Sequence, residues 1–252
     1  MVSRHMIGAE LRKLLGLPTA WVGLVLGLIA APALVFVNAP ALRRQADAGR
    51  LLDTADLGYH NLGIGLLGAL ILGVVTVSSE YTSTGDDAPG ARQMTSTLLA
   101  MPSRHRLLAA KGVALTLVVA AQGTLTAAAT VWLTGLVMPG LAPPFSPVRV
   151  GAAVLYWVLL ALLAYAITLI FRNGIITLTL FIANSAVVSV SYLLTKLTPL
   201  AAYLPDIVGA HMFLRSHPDA VTIPPLTAGL VMTTWVAALL AVALFVFHRR
   251  AA

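Results

Sequence analysis

The run SEYTSTGDDAPGARQMTSTLLAMPSRHRLLAAK, Ser79–Lys111, is a polar stretch set between two windows, Leu57–Ser79 and Gly112–Val148, that contain no Asp, Glu, Lys or Arg. Four more windows of the same kind, Leu14–Leu42, Val150–Phe171, Asn173–Thr195 and Ala220–His248, lie along the chain. Each is long enough for the roughly 20 apolar residues that a helix needs to cross the hydrocarbon core of a bilayer. The 252 residues are 59% hydrophobic and 10% charged, whereas soluble domains run at about 45–50% apolar and about 25% charged. A soluble core cannot absorb that excess. The reading is therefore an all-α membrane protein, a single transmembrane domain over residues 1–252 with six transmembrane helices.

Working outward from the polar run, Pro102 ends one helix and Ser103 caps the next, which runs from Arg104 to Val137. At 1.5 Å per residue that helix is about 50 Å long, against a core of about 30 Å, so its first turns should project from the membrane. Upstream, the span at Gly58–Ser78 carries Gly58, Gly63, Gly65, Gly68 and Gly73. Small residues let helix backbones approach in lipid, which places this span inside the bundle. The first span is expected at about Thr19–Val37 with a kink at Pro32, followed by a loop, Asn38–Asp56, that mixes Arg43, Arg44 and Arg50 with Asp47, Asp53 and Asp56 and could form a short surface helix.

Nearer the N-terminus, Ile7, Leu11, Leu14 and Leu15 share one side of a helix, with His5, Glu10, Arg12 and Lys13 around the other. Residues 1–17 read either as an interfacial helix or as the near end of span one, and Pro18 favours a break between the two. Downstream come a turn-rich loop at Met138–Pro147, spans at Val150–Phe171 and Ile175–Thr195 joined by the turn Arg172-Asn173-Gly174, and a loop over 196–225. The apolar Ile207–Leu214 within that loop is too short to cross and is expected as a short re-entrant or interfacial helix. The last span is Leu226–Phe247.

Basic residues orient the chain. With both termini and 80–111 inside, the inner segments hold Arg4, Arg12, Lys13, Arg92, Arg104, Arg106, Lys111, Arg172, Arg249 and Arg250, against Arg43, Arg44, Arg50, Arg149, Lys196 and Arg215 outside. That excess puts the termini and the polar run in the cytoplasm. The net charge of +7 is dispersed at span ends, not clustered on a soluble face, which argues against a nucleic-acid partner. Cysteine is absent, so disulfides and thiolate metal sites are excluded.

The span interiors lack the titratable groups that ion-driven carriers use. Gln122 and Asn184 are the buried amides of note, either contacts on a substrate path or interhelical hydrogen bonds. Tyr156, Trp157, Tyr165, Phe181 and Tyr192 could line a path or face lipid. No His-Glu-x-x-His motif occurs, and Ser185 and Ser189 have no base nearby in sequence. Gly85–Arg92 has the glycine spacing of a phosphate-binding loop, but Ala91-Arg92 stand where Lys-Ser/Thr is required. The chain is therefore not expected to be an enzyme, to bind a metal or cofactor, or to hydrolyse ATP itself.

Ser79-Glu80-Tyr81, Thr95 to Pro102, the basic Ser103-Arg104-His105-Arg106 and Leu107 to Lys111 resemble the cytoplasmic loop of ATP-binding-cassette type-2 exporter permeases, of the six-span actinobacterial or lantibiotic-immunity type. The usual Glu-Tyr-x-x-Gly-x-[IL]-[RK] run is interrupted here by Asp86 to Ala91. The resemblance implies a subunit in the bacterial plasma membrane that pairs with a second permease subunit, as a homo- or heterodimer, each copy carrying a cytosolic ATPase subunit that binds the ATP and magnesium. A coupling helix within 80–111 would dock on that ATPase, using Glu80, Tyr81, Met94, Leu98, Leu99, Met101, Arg104, Arg106 and Lys111. Glu80 would brace the loop by pairing with Lys111 or with Arg106, the alternative being independent charges at the membrane surface. The cargo would be a hydrophobic or amphipathic compound, a drug, lipid or antimicrobial peptide, with Gln122, Tyr156, Phe181 and Asn184 as candidates for its path. A non-transporting scaffold, immunity or sensor subunit and a secondary carrier are the alternatives.

A closed Glu80–Lys111 pair would let exchange of the two charges restore transport lost in either single variant. If Leu98 docks on the ATPase, Leu98→Asp should uncouple ATP hydrolysis from export while membrane insertion, followed by fractionation, is unchanged.

Overall fold

The computed structural model of the chain describes residues 3–50, 53–81, 104–185, 190–216 and 221–249. Among these the fold is all-α. Ser3 accepts a hydrogen bond from the Met6 N–H at 3.3 Å and starts α1, Arg4–Leu15. Gly16 and Leu17 separate it from α2, Pro18–Asp47, in which Pro18 occupies the first turn, where its missing N–H costs nothing. The other helices are α3, Leu62–Ser78; α4, Arg104–Val137; α5, Pro147–Phe171; α6, Gly174–Ser185; α7, Val190–Thr195; α8, Pro205–Ala210, after a 3₁₀ turn at Pro199–Tyr203; and α9, Pro225–Arg249.

Four segments, Pro18–Asp47, His105–Val137, Pro147–Phe171 and Pro225–Phe247, are long and apolar enough to cross a membrane, and Leu62–Ser78 and Gly174–Asn184 are shorter apolar helices. Trp21, Ile29 and Phe36 on α2, Leu125 and Trp132 on α4, and Leu230 and Phe245 on α9 lie exposed on the outer faces. Such faces oppose solution in water and suit lipid, so this is a multi-pass membrane protein. Helix α5 is the axis of the bundle: 72% of its apolar window is buried, against 22% for α9. Trp157 and Tyr165 are almost wholly buried on it.

Helix α3 packs between α2 and α5 because its glycines let it. A Cβ on Gly68 would stand 2.4 Å from the Gly23 carbonyl oxygen of α2 and 2.6 Å from the Gly27 Cα. The seam is sealed from α4, where Gln122 Nε2 donates to the carbonyls of Gly23 at 2.9 Å and Leu24 at 3.1 Å, and Thr126 Oγ1 donates to that of Gly27 at 3.0 Å.

Two expectations change, and a third segment is described only in part. The chain does not leave the helix after Val37, because α2 continues through Pro32 and Pro40 to Asp47. Neighbours support that extension: Asn38 Nδ2 donates to Asn61 Oδ1 at 3.0 Å, and Arg43 donates to the Val137 carbonyl. The segment expected as one span over Ile175–Thr195 is described as α6 and α7, on either side of residues 186–189, which lie outside the described residues. In the loop over 196–225 the helix begins earlier than Ile207 and is short, six residues from Pro205 to Ala210, with Asp206 in its first turn.

At the end of the bundle away from α1, a second polar tie replaces what looked like scattered loop charges. Arg149, at the start of α5, pairs with Asp56 and donates to the carbonyls of Ala55 at 2.8 Å and Phe213 at 2.9 Å. Its guanidinium lies 3.7 Å from the centre of the Tyr59 ring. The other Asp56 oxygen accepts the N–H groups of Arg215 at 2.8 Å and Ser216 at 2.7 Å. One arginine thereby joins the start of α5 to the chain before α3 and the chain after α8.

Gly68→Leu is expected to open the α2–α3 seam and cost at least about 1–3 kcal/mol, read as a lower melting temperature of the detergent-solubilised protein. Gly135→Ala is the control. Its added Cβ meets nothing within 4 Å and alanine favours a helix interior over glycine, so its melting temperature should be no lower than that of the wild type.

Candidate functional site

Two places gather polar side chains within the apolar bundle. The first lies where α1, the end of α3 and the start of α4 meet. The long helix expected from Arg104 to Val137 is present as α4 over those residues, and Leu107, Leu108 and Ala110 bury its first turns. Tyr165 Oη on α5 donates to the Leu108 carbonyl at 3.0 Å, which holds those turns against the bundle axis.

Lys111, one turn further on, has its Nζ 2.7 Å from Glu10 Oε2 and 2.8 Å from Glu80 Oε1, while Lys13 Nζ also donates to Glu80. The Lys111 and Glu80 side chains are only 3% and 2% exposed. Of the two pairings open to Glu80, the geometry selects Lys111, and Arg106 is exposed. Two carboxylates and two ammonium groups alternate, so the cluster is neutral as a whole. Burial pushes the Glu80 carboxyl up, but the charge and hydrogen bond of Lys111, helped by those of Lys13, outweigh it and hold the group below the ordinary glutamate value of 4.5. Beside it Tyr81 lies under the Arg172 guanidinium, 5.7 Å from ring centre to charge.

The reading of α1 is corrected on one point. Glu10 does not sit on a solvent-facing side; it is buried with Leu14 one turn on, because Lys111 receives it. Lys13 faces the same way. The chain has only two glutamates, Glu10 and Glu80, and three lysines, Lys13, Lys111 and Lys196. Both glutamates and two of the lysines collect here. That scarcity was the available signal, since a helix with one acidic residue beside an apolar stripe has a reason to turn it toward a cation. Met94, Leu98, Leu99 and Met101 lie outside the described residues, as does the side chain of Arg104.

The second place is a cleft of about 460 Å³ between α3, α5, α6, α8 and α9. Three of the residues named for a path, Tyr156, Phe181 and Asn184, line it, together with Asp206, Ser191 and Trp235. Gln122 does not; it is committed to the α2 carbonyls. Asn184 Nδ2 donates to Asp206 Oδ2 at 2.8 Å, and Asn184 Oδ1 accepts from the Ser191 N–H at 3.2 Å and hydroxyl at 3.3 Å. Tyr156 Oη donates to the Asp206 carbonyl at 3.4 Å. The Tyr156 ring is pressed against Gly209, where a Cβ would fall 1.9 Å from it. Trp235 is fixed by a bond from Nε1 to the Tyr203 carbonyl at 2.9 Å. The alternative of lipid-facing aromatics is set aside for Tyr156, Trp157 and Tyr165, which are buried among the helices. The place of Asp206 on the cleft wall follows only from how the loop folds back onto α5 and α6.

Among the described residues no group of three or more His, Cys, Asp or Glu is arranged to hold a metal ion. No protein-family model, curated protein or solved structure matches this chain.

The four-charge cluster changes the expected outcome of charge exchange. Glu80→Lys with Lys111→Glu would set the introduced ammonium against Lys13 and the introduced carboxylate against Glu10, so this pair of changes should not rescue. Reversing all four charges should. Lys111→Met alone strands the Glu10 carboxylate and leaves Glu80 with Lys13 alone, and should cost about 3–5 kcal/mol, read as a fall in melting temperature. Because the Glu80 value is depressed, its contribution is complete above pH 4.5 and is lost as the pH falls through the lowered value. Melting temperature should drop in that acid range, and less steeply in Glu80→Gln.

Proposed function

We propose that this chain is the transmembrane permease subunit of an ATP-driven exporter of hydrophobic or amphipathic compounds, moved by an ATPase on a separate polypeptide. The observation that carries the reading is the buried Glu10–Lys111–Glu80–Lys13 cluster. It stands at both roots of the polar run between α3 and α4, and it joins these two helices to α1. Pulling such a cluster apart strands a charge in an apolar setting, at a cost of about 3–5 kcal/mol. A push on the polar run would therefore move the three helices together before it separated them. That is the behaviour a lever needs, and α4, at 34 residues, is long enough to be one.

The sequence resemblance of the polar run to the coupling loop of type-2 exporter permeases supports the same reading. In it, the shorter apolar helices complete six crossings, α1 lies at the cytoplasmic interface, both termini are cytoplasmic, and a second permease subunit completes the path. The cleft with Tyr156, Phe181 and Asn184 gives the cargo a mostly apolar wall.

The test is to purify the tagged chain from its native membrane together with any ATP-binding-cassette ATPase bound to it, and to follow ATP hydrolysis and cargo efflux in proteoliposomes. The two proteins should co-purify, and an ATPase variant unable to hydrolyse nucleotide should abolish efflux. Lys111→Met should lower efflux at least about tenfold while co-purification persists. Efflux that continues undiminished with the inactive ATPase would overturn the proposal.

A further inference from the structure

The wall of the 460 Å³ cleft carries a more specific message than its size. Its volume falls within the range of about 300–1,000 Å³ occupied by small-molecule sites, and leucine is its commonest lining residue, with Leu66, Leu67 and Leu70 from α3 and Leu160 and Leu163 from α5. Among its described lining residues there is no Lys, Arg or His, and the single formal charge is the carboxylate of Asp206. Three aromatic rings, Tyr156, Phe181 and Trp235, share the wall, and two of them are anchored: Tyr156 by its bond to the Asp206 carbonyl and its packing on Gly209, Trp235 by its bond to the Tyr203 carbonyl.

We infer that the cleft binds a lipophilic monocation, an apolar organic body bearing one positive charge. This names the cargo class for the proposed export function and rests on it. Three features combine. Leucine side chains take the organic body out of water, aromatic rings on the wall attract a cation that reaches their faces, and the Asp206 carboxylate supplies the opposite charge. An anion of the same shape meets the carboxylate and finds no cationic side chain among the described lining residues. The polar donors beside it are engaged, since the Asn184 amide bonds Asp206 and the Ser191 hydroxyl bonds Asn184. Asn184 is then a positioning residue: it holds the Asp206 oxygen toward α6 while Ser191 fixes the amide from α7.

The test is direct binding to the full purified chain in an uncharged maltoside detergent, with no ATPase and no nucleotide present. Radiolabelled tetraphenylphosphonium is the probe, measured by equilibrium dialysis, with tetraphenylborate as its anion of like shape. The cation should bind saturably at one site per chain, and tetraphenylborate should not displace it. Asp206→Asn, nearly the same in shape, should weaken cation binding at least tenfold, and Leu67→Trp, which fills the cleft from α3, should abolish saturable binding. Matching melting temperatures certify that each variant is folded. If Asp206→Asn fails to fold, the cation–anion comparison on the wild type and the Leu67→Trp variant still decides. Absence of saturable cation binding, equal competition by the anion, or a folded Asp206→Asn with unchanged affinity would each overturn the inference. Because no ATPase takes part, such a failure is separate from failure of the export reading, which the inactive-ATPase efflux experiment judges.

Discussion

A charge enclosed by apolar helices is costly unless its opposite lies within hydrogen-bonding reach, and this constraint organises one whole end of the molecule. Lys111 is nearly inaccessible and can stay so only because Glu10 comes to it from α1 and Glu80 from the turn that follows α3. Glu80 in turn needs Lys13 as well as Lys111. The consequence is a joint that is specific rather than merely adhesive. Apolar surfaces can slide past one another with little penalty in lipid, where helix association lacks the hydrophobic drive it has in water, whereas a cluster with alternating signs has one register.

The same logic, with different groups, holds the opposite end. Arg149 there meets a carboxylate, two carbonyls and an aromatic face, and Asp56 meets the arginine and two backbone N–H groups. Between the two ties the bundle is held by close approach and packing, with Gly68 against Gly23 and Gly27 and with Trp157 and Tyr165 filling the space along α5. This division places rigid polar joints at the ends and permissive apolar packing in the middle. A helix pair fastened at its ends can tilt as a unit, which is the mechanical property that the proposed coupling to an external ATPase requires.

The cleft fits into that scheme as a place where packing is incomplete by design of the backbone. The chain after α7 folds back through a 3₁₀ turn and α8, bringing Asp206 beside Asn184 and the Tyr156 hydroxyl near its carbonyl. A carboxylate, an amide and a serine thus form a small hydrogen-bonded group at the edge of an apolar recess. Among the described residues that line the recess, Asp206 is the single formal charge.

What the sequence determined alone was everything that depends on composition along the chain: a multi-pass helical protein, the extent of α4 from Arg104 to Val137, the break before Pro18, and the crowding of α3 read from its glycines. These follow from local chemistry, since apolar length, proline and glycine act on the residues next to them. It also put Glu80 and Lys111 within reach of each other, because both flank the same polar run. Only the tertiary structure decided that Glu10 and Lys13 complete the cluster, that α2 continues past Pro40 to Asp47, that Gln122 belongs to a helix seam while Asn184 belongs to a cleft, and that Asp206 lies on that cleft's wall. For the cluster and the seam the deciding partner stands far away in sequence, 101 residues for Lys111 and Glu10 and 99 for Gln122 and Gly23. A polar side chain carries no mark of which distant group will satisfy it, and burial inside an apolar bundle makes that choice the one that matters.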